Sequence, residues 1–293
     1  MSASLAFEAI GTHWTIDIDD TGYDAECQKK LEDKILNRIE MYDRTYSRFR
    51  DDSLIREAGR TPGTYELPED SNELFSLYRT FYDATNGYVT PLIGDVLDAA
   101  GYDATYTLME KRPLTTPHSW DESIAYAQGK LTTRMPVIID IGAGGKGHLI
   151  DIVGNLIEEE GIGSYTVEAG GDIRYRTTGG EPLRVGLENP FDTESVVGVA
   201  HILNESICGS AGNRRAWGNF HHIINPVTLT SPRHLSGVWV VAESTFLADL
   251  LTTALFFVPP EEMLEKFSFT YALLDSEGVM TYAPNFPGEF FTR

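Results

Sequence analysis

Residues 137–172 read VIIDIGAGGKGHLIDIVGNLIEEEGIGSYTVEAGGD, and the reading of the glycines inside this stretch decides the fold. Gly142, Gly144 and Gly147 satisfy G-x-G-x-x-G between an apolar run and a segment of helical periodicity. A phosphate loop is excluded, because it needs four residues between its glycines and a Ser or Thr after the lysine, whereas Gly147 and His148 follow Lys146. A Rossmann turn has Glu168 in its favour, roughly 20 residues on, where a ribose-binding acid belongs. Against it, the motif stands mid-chain and no second mononucleotide half follows. A purely structural strand-to-helix turn fits the segment equally well. All of these turns share one piece of physics. Glycines let backbone N–H groups approach a ligand, a helix N-terminus carries partial positive charge, and Lys146 adds a full one. A phosphate-containing ligand follows from that, whatever the fold.

Lys146 is conspicuous because the chain is acidic. Across 293 residues, 23 Lys and Arg face 44 Asp and Glu, a net charge of −21. Such a surface repels nucleic-acid phosphates and anionic lipid, so neither nucleic acid nor membrane is an expected partner. An anionic ligand needs local basic residues or a divalent cation. Cys27 and Cys208 are far apart and without metal-ligand spacing, which reads as two buried or half-buried thiols. The opening MSASLAFEAIGTHWTIDI has no basic region, apolar run or lipid-attachment cysteine, and no stretch reaches transmembrane length, so a cytoplasmic location is the expectation.

No repeat, low-complexity segment or long linker divides the chain, so one unit over 1–293 is expected. WTIDID alternates as a strand, and Leu31, Ile35, Ile39 and Tyr42 recur at helical spacing between Ala25 and Tyr46. A second helix starts near Asp70 or Ser71 and carries Leu74, Leu77, Tyr78 and Phe81. SWDESIAYAQG reads as a shorter helix, MPVIIDI as an apolar strand, and HLIDIVGNLIEEEG as a helix ended by Gly161. SYTVEA, DIRYRTT, LRVGLE, VGVAHIL and GVWVVA are short strands, and STFLADLLTTALFFV is a helix capped by Ser244. FTYALLD and GVMTYA form a hairpin about Ser276-Glu277-Gly278. Strands in series with interspersed helices give an α+β class.

Two further constellations carry chemistry. In ADLLTTA, Asp249 and Thr253 are i and i+4 and share a helix face, roughly 5–6 Å apart at Cβ. Both offer oxygen, which suits Mg²⁺ bridging a pyrophosphate. By spacing alone a solvated Asp with a back-bonded Thr is the better reading, but an unpaired Asp on so apolar a helix is costly. In FHHIINPVT, tandem histidines precede an Asn-Pro turn, and one ring turned inward is a candidate general base.

Seven segments, in order, resemble the ApbE family of FAD:protein FMN transferases. AIGTHWTI resembles its M-G-T-x-[WY], YSRFRDDSLI its S-x-[YF]-x-x-x-S, and GYVTPLIG its G-x-[FY]-D-P-T-x-G. DIGAGGKGHLID resembles D-L-G-[GA]-I-A-K-G-x-x-x-D, VEAGGDI resembles V-N-x-G-G-D, HHIINPVT resembles H-I-I-D-P-x-T-G, and ADLLTTA resembles A-D-x-x-x-T-A. The resemblance implies a single two-lobed α+β unit with mixed or antiparallel sheets, flanking helices and FAD in the cleft between lobes. It implies Mg²⁺ held by the Asp249 and Thr253 side chains and a backbone oxygen at Ala143. It places Ile10, Phe49, Tyr88, Val89, Thr90, Asp140, Lys146, His222 and Ile223 around FAD, and makes His222, Asp249 and Lys146 the catalytic set, with Lys146 and the amides of the turn stabilising the developing charge. The implied reaction moves FMN from FAD to a Ser or Thr hydroxyl of an acceptor protein and releases AMP. Thr90 and Asn225 stand where the family has Asp, Leu229 stands where it has Gly, and ICGSAGN stands where T-S-G is common. An FAD pyrophosphatase and a non-catalytic FAD-binding protein are the alternative readings.

Overall fold

The hairpin at Ser276–Gly278 and the helix capped by Ser244 both form in the computed structural model, which describes residues 2–19 and 25–291. From the N-terminus come β1 (Ser2–Ala9), β2 (Thr12–Asp19), α1 (Ala25–Tyr46), α2 (Leu54–Arg60), β3 (Gly63–Glu66), α3 (Ser71–Ala84) and α4 (Gly94–Ala100). The middle supplies α5 (Trp120–Ser123), β4 (Ile124–Ala127), β5 (Lys130–Thr133), α6 (Gly145–Glu159), β6 (Tyr165–Ala169) and β7 (Asp172–Arg176). Then come β8 (Leu183–Asn189), β9 (Asp192–Ile202), β10 (Ser206–Ala211), β11 (Ala216–Trp217), β12 (Phe220–His221) and β13 (Leu235–Ala242). The last elements are α7 (Thr245–Ala254), α8 (Pro260–Leu264), β14 (Thr270–Asp275), β15 (Met280–Tyr282) and β16 (Gly288–Phe290).

The main sheet has the order β1-β2-β6-β7-β10-β13-β14-β15 and is antiparallel at each ladder. Its two faces are both covered, and β13 shows why GVWVVA lacks a polar face. Val238 and Val240 enter the core shared with Leu149, Val153, Phe246 and Leu250 of α6 and α7. Trp239 and Val241 point the other way, into a second core with Leu187, Ala200 and Ile202 of the small sheet β16-β9-β8. Period-two alternation therefore feeds apolar side chains to both sides, each fully buried one worth about 1.5–3 kcal/mol. The fold is α+β, and among the described residues no helix is long and apolar enough to cross a membrane.

Three expectations are corrected. MPVIIDI is extended but joins no ladder: Val137 N–H donates to the Gly59 carbonyl (2.8 Å), Asp140 N–H to that of Pro91 (2.7 Å), and Ile138 N–H to Asp95 Oδ2 (2.9 Å). A continuous apolar run reads as a strand, but helix ends and loops, not strands, satisfy this one. SWDESIAYAQG is helical only at Trp120–Ser123, under a Ser119/Glu122 capping box, and then becomes β4. Cys208 is buried as expected, whereas Cys27 is exposed.

Candidate active site

The glycine turn is stitched from several elements at once. Asp140 accepts the Gly142 N–H (2.6 Å) and the buried guanidinium of Arg48. Tyr78 Oη donates to the Ile141 carbonyl (2.6 Å) and accepts the Gly144 N–H (3.0 Å), while Gly145 N–H returns to Ile141 O (2.7 Å). Gly147 N–H donates to Asp249 Oδ2 (2.9 Å). Four amides of the turn are thus consumed inside the protein, which corrects the expectation that they serve a phosphate. The diversion of Gly147 N–H leaves the Ala143 carbonyl without a donor among the described residues.

The glycines are needed for proximity. A Cβ on Gly144 would lie 2.5 Å from Leu250 Cγ, and one on Gly147 would lie 2.3 Å from the Thr245 carbonyl oxygen. Their absence of side chains lets α6 lie against α7. Asp151, in the second turn of α6, completes that contact: its carboxylate accepts Thr245 N–H (3.1 Å) and Phe246 N–H (2.8 Å) at the start of α7, and Arg174 donates to the oxygen that takes the Thr245 N–H (3.3 Å). Ser244 caps the same helix by accepting Leu247 N–H at 3.2 Å. Two donors that a helix start leaves orphaned therefore find a carboxylate.

α7 presents Asp249 and then Thr253 to the cleft that the turn borders. Asp249 is 6 % exposed, and burial raises its pKa against the lowering influence of Lys146 and the Gly147 amide. Only Oδ2 has a donor; no protein donor among the described residues reaches Oδ1. Lys146 Nζ is ion-paired with the buried carboxylate of Asp172, so its charge is anchored at the cleft wall. Asp151 and Asp172 were missed by residue-level reasoning, although each ends one of the motifs quoted above. Their fixed place behind a glycine turn was the available signal.

The tandem histidines divide their roles. The His221 ring is locked, with Nε2 at 2.8 Å from the Pro232 carbonyl and Nδ1 accepting the Ile223 N–H at 3.3 Å. His222 lines the cleft, and its Nδ1 is enclosed without a partner among the described residues. Burial, with Arg215, His221 and Lys146 adding repulsion, depresses its pKa to about 3, so the ring is neutral. The neighbouring turn accounts for one departure from the family pattern and leaves a second one strained. Asn225 Oδ1 accepts Val227 N–H (2.8 Å) and Thr228 N–H (2.9 Å), a cap that Asp would form equally. Leu229 sits at φ +59, a left-handed conformation that favours the usual Gly. Thr90 likewise caps the single turn Pro91–Ile93 by accepting Leu92 N–H at 3.2 Å.

Rings and apolar side chains line the rest. Phe49 stacks on Tyr106 (5.3 Å between centroids), the Arg48 guanidinium carbon lies 4.2 Å from the Phe49 centroid, and Tyr88 stacks on Phe257 (5.8 Å). Ile10 occupies the β1–β2 turn at φ +45, an uncommon conformation for a β-branched residue. The fold brings Ile10, Phe49, Tyr88, Val89, Thr90, Asp140, Ala143, Lys146, His222, Ile223, Asp249 and Thr253 to the wall of one cleft of about 1000 Å³.

Behind the turn lies a second neutral histidine. His148 is fully buried, with Nδ1 3.1 Å from Tyr42 Oη, while Nε2 has no hydrogen-bond partner among the described residues and lies 3.9 Å from Glu73. Burial depresses its pKa to about 4. The unfolded chain therefore binds a proton below about 6.5 that the folded chain refuses, so stability is lost as pH falls from there toward 4. Between pH 7 and pH 5 His148 should remove about 2 kcal/mol of stability. Urea unfolding at the two pH values checks this, and His148→Leu should flatten that part of the profile.

Similarities to known proteins agree with the geometry. The model of the ApbE family matches residues 10–272. The FAD:protein FMN transferase of Klebsiella pneumoniae (strain 342) is 25% identical, the match covering 87% of this chain and 78% of the relative. That of Escherichia coli (strain K12) is 24% identical over 98% of this chain and 85% of the relative. Among solved structures, the flavin transferase ApbE from Vibrio cholerae superposes with a TM-score of 0.80 at 21% identity, covering 98% of both chains. The ApbE protein from Thermotoga maritima gives a TM-score of 0.85 at 20% identity over 99% of this chain and 100% of that one. With the family model spanning most of its length and the fold shared end to end, the chain belongs to the ApbE family.

Proposed function

We propose that this protein moves FMN from FAD to a Ser or Thr hydroxyl of an acceptor protein and releases AMP, with Mg²⁺ as its metal. The observation that carries the reading is the convergence, on one cleft, of the buried Asp249 carboxylate, Thr253, the donor-free Ala143 carbonyl and Lys146. One carboxylate and two neutral oxygens fit Mg²⁺, which takes few protein oxygens and fills its octahedron from water and phosphate. Among the described residues no cluster of three His, Cys, Asp or Glu side chains offers a competing metal site. Bound there, Mg²⁺ would neutralise charge on the pyrophosphate.

The residues of the chain supply the rest. The acceptor oxygen attacks the FMN-side phosphorus, a new P–O bond forms, the P–O–P bridge breaks, and AMP leaves with the bridging oxygen. Lys146 faces the charge that develops. The hydroxyl proton goes to His222 or to a carboxylate of the cleft; the His222 ring is neutral and has a lone pair to offer, but its depressed pKa makes it a weak base. The stacked pairs Phe49–Tyr106 and Tyr88–Phe257 give ring surfaces to a ligand with two ring systems.

The test is incubation with FAD and Mg²⁺, with and without a synthetic peptide library carrying a central Ser or Thr, while AMP and peptide mass are followed. A peptide gaining the mass of FMN in step with AMP supports transfer. AMP without peptide modification assigns an FAD pyrophosphatase, and neither product assigns a binding protein. Because Asn225 already caps its turn, Asn225→Asp should change the rate of AMP release by less than about tenfold, below about 1.4 kcal/mol of barrier. A larger gain would mean that a charge at this turn takes part in the chemistry.

A further inference from the structure

The small sheet β16-β9-β8 leaves β8 at its edge. The direction of the β8 backbone groups follows from the other side of the sheet. His201 N–H donates to the Pro287 carbonyl (2.6 Å) and Phe291 N–H to the Val197 carbonyl (2.8 Å), so the odd-numbered residues of this part of β9 face β16. The even-numbered Ala200 and Ile202 must then face β8, where they pair with Val185 and Leu183. Arg184 and Gly186, between those partners, turn their N–H and C=O groups outward. Neither has a backbone partner on that side among the described residues.

Free edges invite another chain, and proteins normally blunt or cover them. This one is recessed instead. Val185, Gly186, Leu187 and Glu188 line the same cleft as Asp249, Thr253 and His222. Among the described residues the other outer strands, β1, β15, β16, β3, β4, β11 and β12, contribute no residue to it. Gly186 is exposed and has no side chain to screen its peptide groups. Donor and acceptor pairs two residues apart repeat at about 6.6 Å, the spacing of an extended peptide.

We propose that the acceptor protein enters the cleft as an extended segment that adds to the outer edge of β8, hydrogen-bonding to Arg184 outside the cleft and to Gly186 within it, and so carries its hydroxyl toward the site. This rests on the proposed flavin transfer and adds its mode of partner recognition, in which the main chain of the acceptor gives affinity. The probe is the library peptide that accepts FMN fastest, resynthesised with a single N-methyl group at each position in turn. Strand addition exposes alternate N–H groups to β8, so KM for the peptide should rise at least tenfold at every second position and stay near the parent value between them. Transfer with no alternation, or a uniform loss, overturns the strand-addition inference and leaves flavin transfer standing. A stable dimer in sedimentation that excess peptide fails to dissociate assigns the edge to a second copy and also overturns it. No transfer to any library peptide removes the proposed function and this inference together.

Discussion

Asp249→Asn should lower metal-dependent AMP release by about 10³-fold or more, near 4 kcal/mol of transition-state stabilisation, while leaving the melting temperature unchanged or raised. The two signs have one cause. Asp249 is the sole charged ligand in the proposed metal set, and an amide oxygen cannot replace its charge. The same charge is a liability to the fold. Burial raises the folded-state pKa of Asp249, so the folded chain holds this proton more tightly than the unfolded one. Its contribution is most favourable below the unfolded pKa and is lost as pH rises through the folded value. Above the unfolded value the raised pKa therefore costs stability, and Asn removes that cost. The amide oxygen can still accept the Gly147 N–H that Oδ2 takes at 2.9 Å, so the contact between α6 and α7 survives. AMP release across a Mg²⁺ titration, paired with thermal unfolding, reads both effects. Wild-type turnover in the variant would place the metal elsewhere, and a large fall in melting temperature would mean that the charge supports the fold.

The parts of this architecture that were legible in the sequence are those where local pattern and tertiary context agree. Leu31, Ile35, Ile39 and Tyr42 recur at helical spacing on α1 and are all buried. Ser244 caps α7, and the turn at Ser276–Gly278 joins two alternating strands. Where context overrides pattern, the reading failed. MPVIIDI has the composition of a buried strand, but its N–H groups are satisfied by Gly59, Pro91 and Asp95, partners that no periodicity announces. The site was legible as residue types in order, and its residues do meet in one cleft. Illegible was the division of labour within it: which histidine is locked, which amides are consumed, and that Asp151 anchors the start of α7. The lock on His221 comes from Pro232, 11 residues on, through a turn whose shape no periodicity announces, while the pairs Asp151 with Thr245 and Gly147 with Asp249 are 94 and 102 residues apart in sequence.

Gly147→Ala tests that long-range geometry, because local and tertiary physics predict opposite signs. Gly147 lies in the first turn of α6, and helix propensity alone makes Ala better there by up to about 1 kcal/mol. The surroundings forbid it. The new Cβ would lie 2.3 Å from the Thr245 carbonyl oxygen and 2.8 Å from Asp249 Cβ. Both atoms belong to or adjoin the backbone of α7 and cannot rotate aside, so the helices must part by about an ångström. Overpacking of this kind costs about 1–3 kcal/mol, which outweighs the propensity gain. Moving Asp249 by that amount relative to Ala143 and Lys146 should slow AMP release by about 10²-fold. Gly161→Ala is the matched control. That glycine ends α6 at φ +81, and a Cβ added to it would meet nothing within 4 Å, so its substitution adds only local backbone strain, about 1 kcal/mol, and no rate effect. Chemical unfolding and AMP release measured on the pair separate the two causes. If Gly147→Ala is as active and as stable as the parent while Gly161→Ala is destabilised, the close approach of α6 and α7 does not position the site, and the glycine turn serves it in some other way.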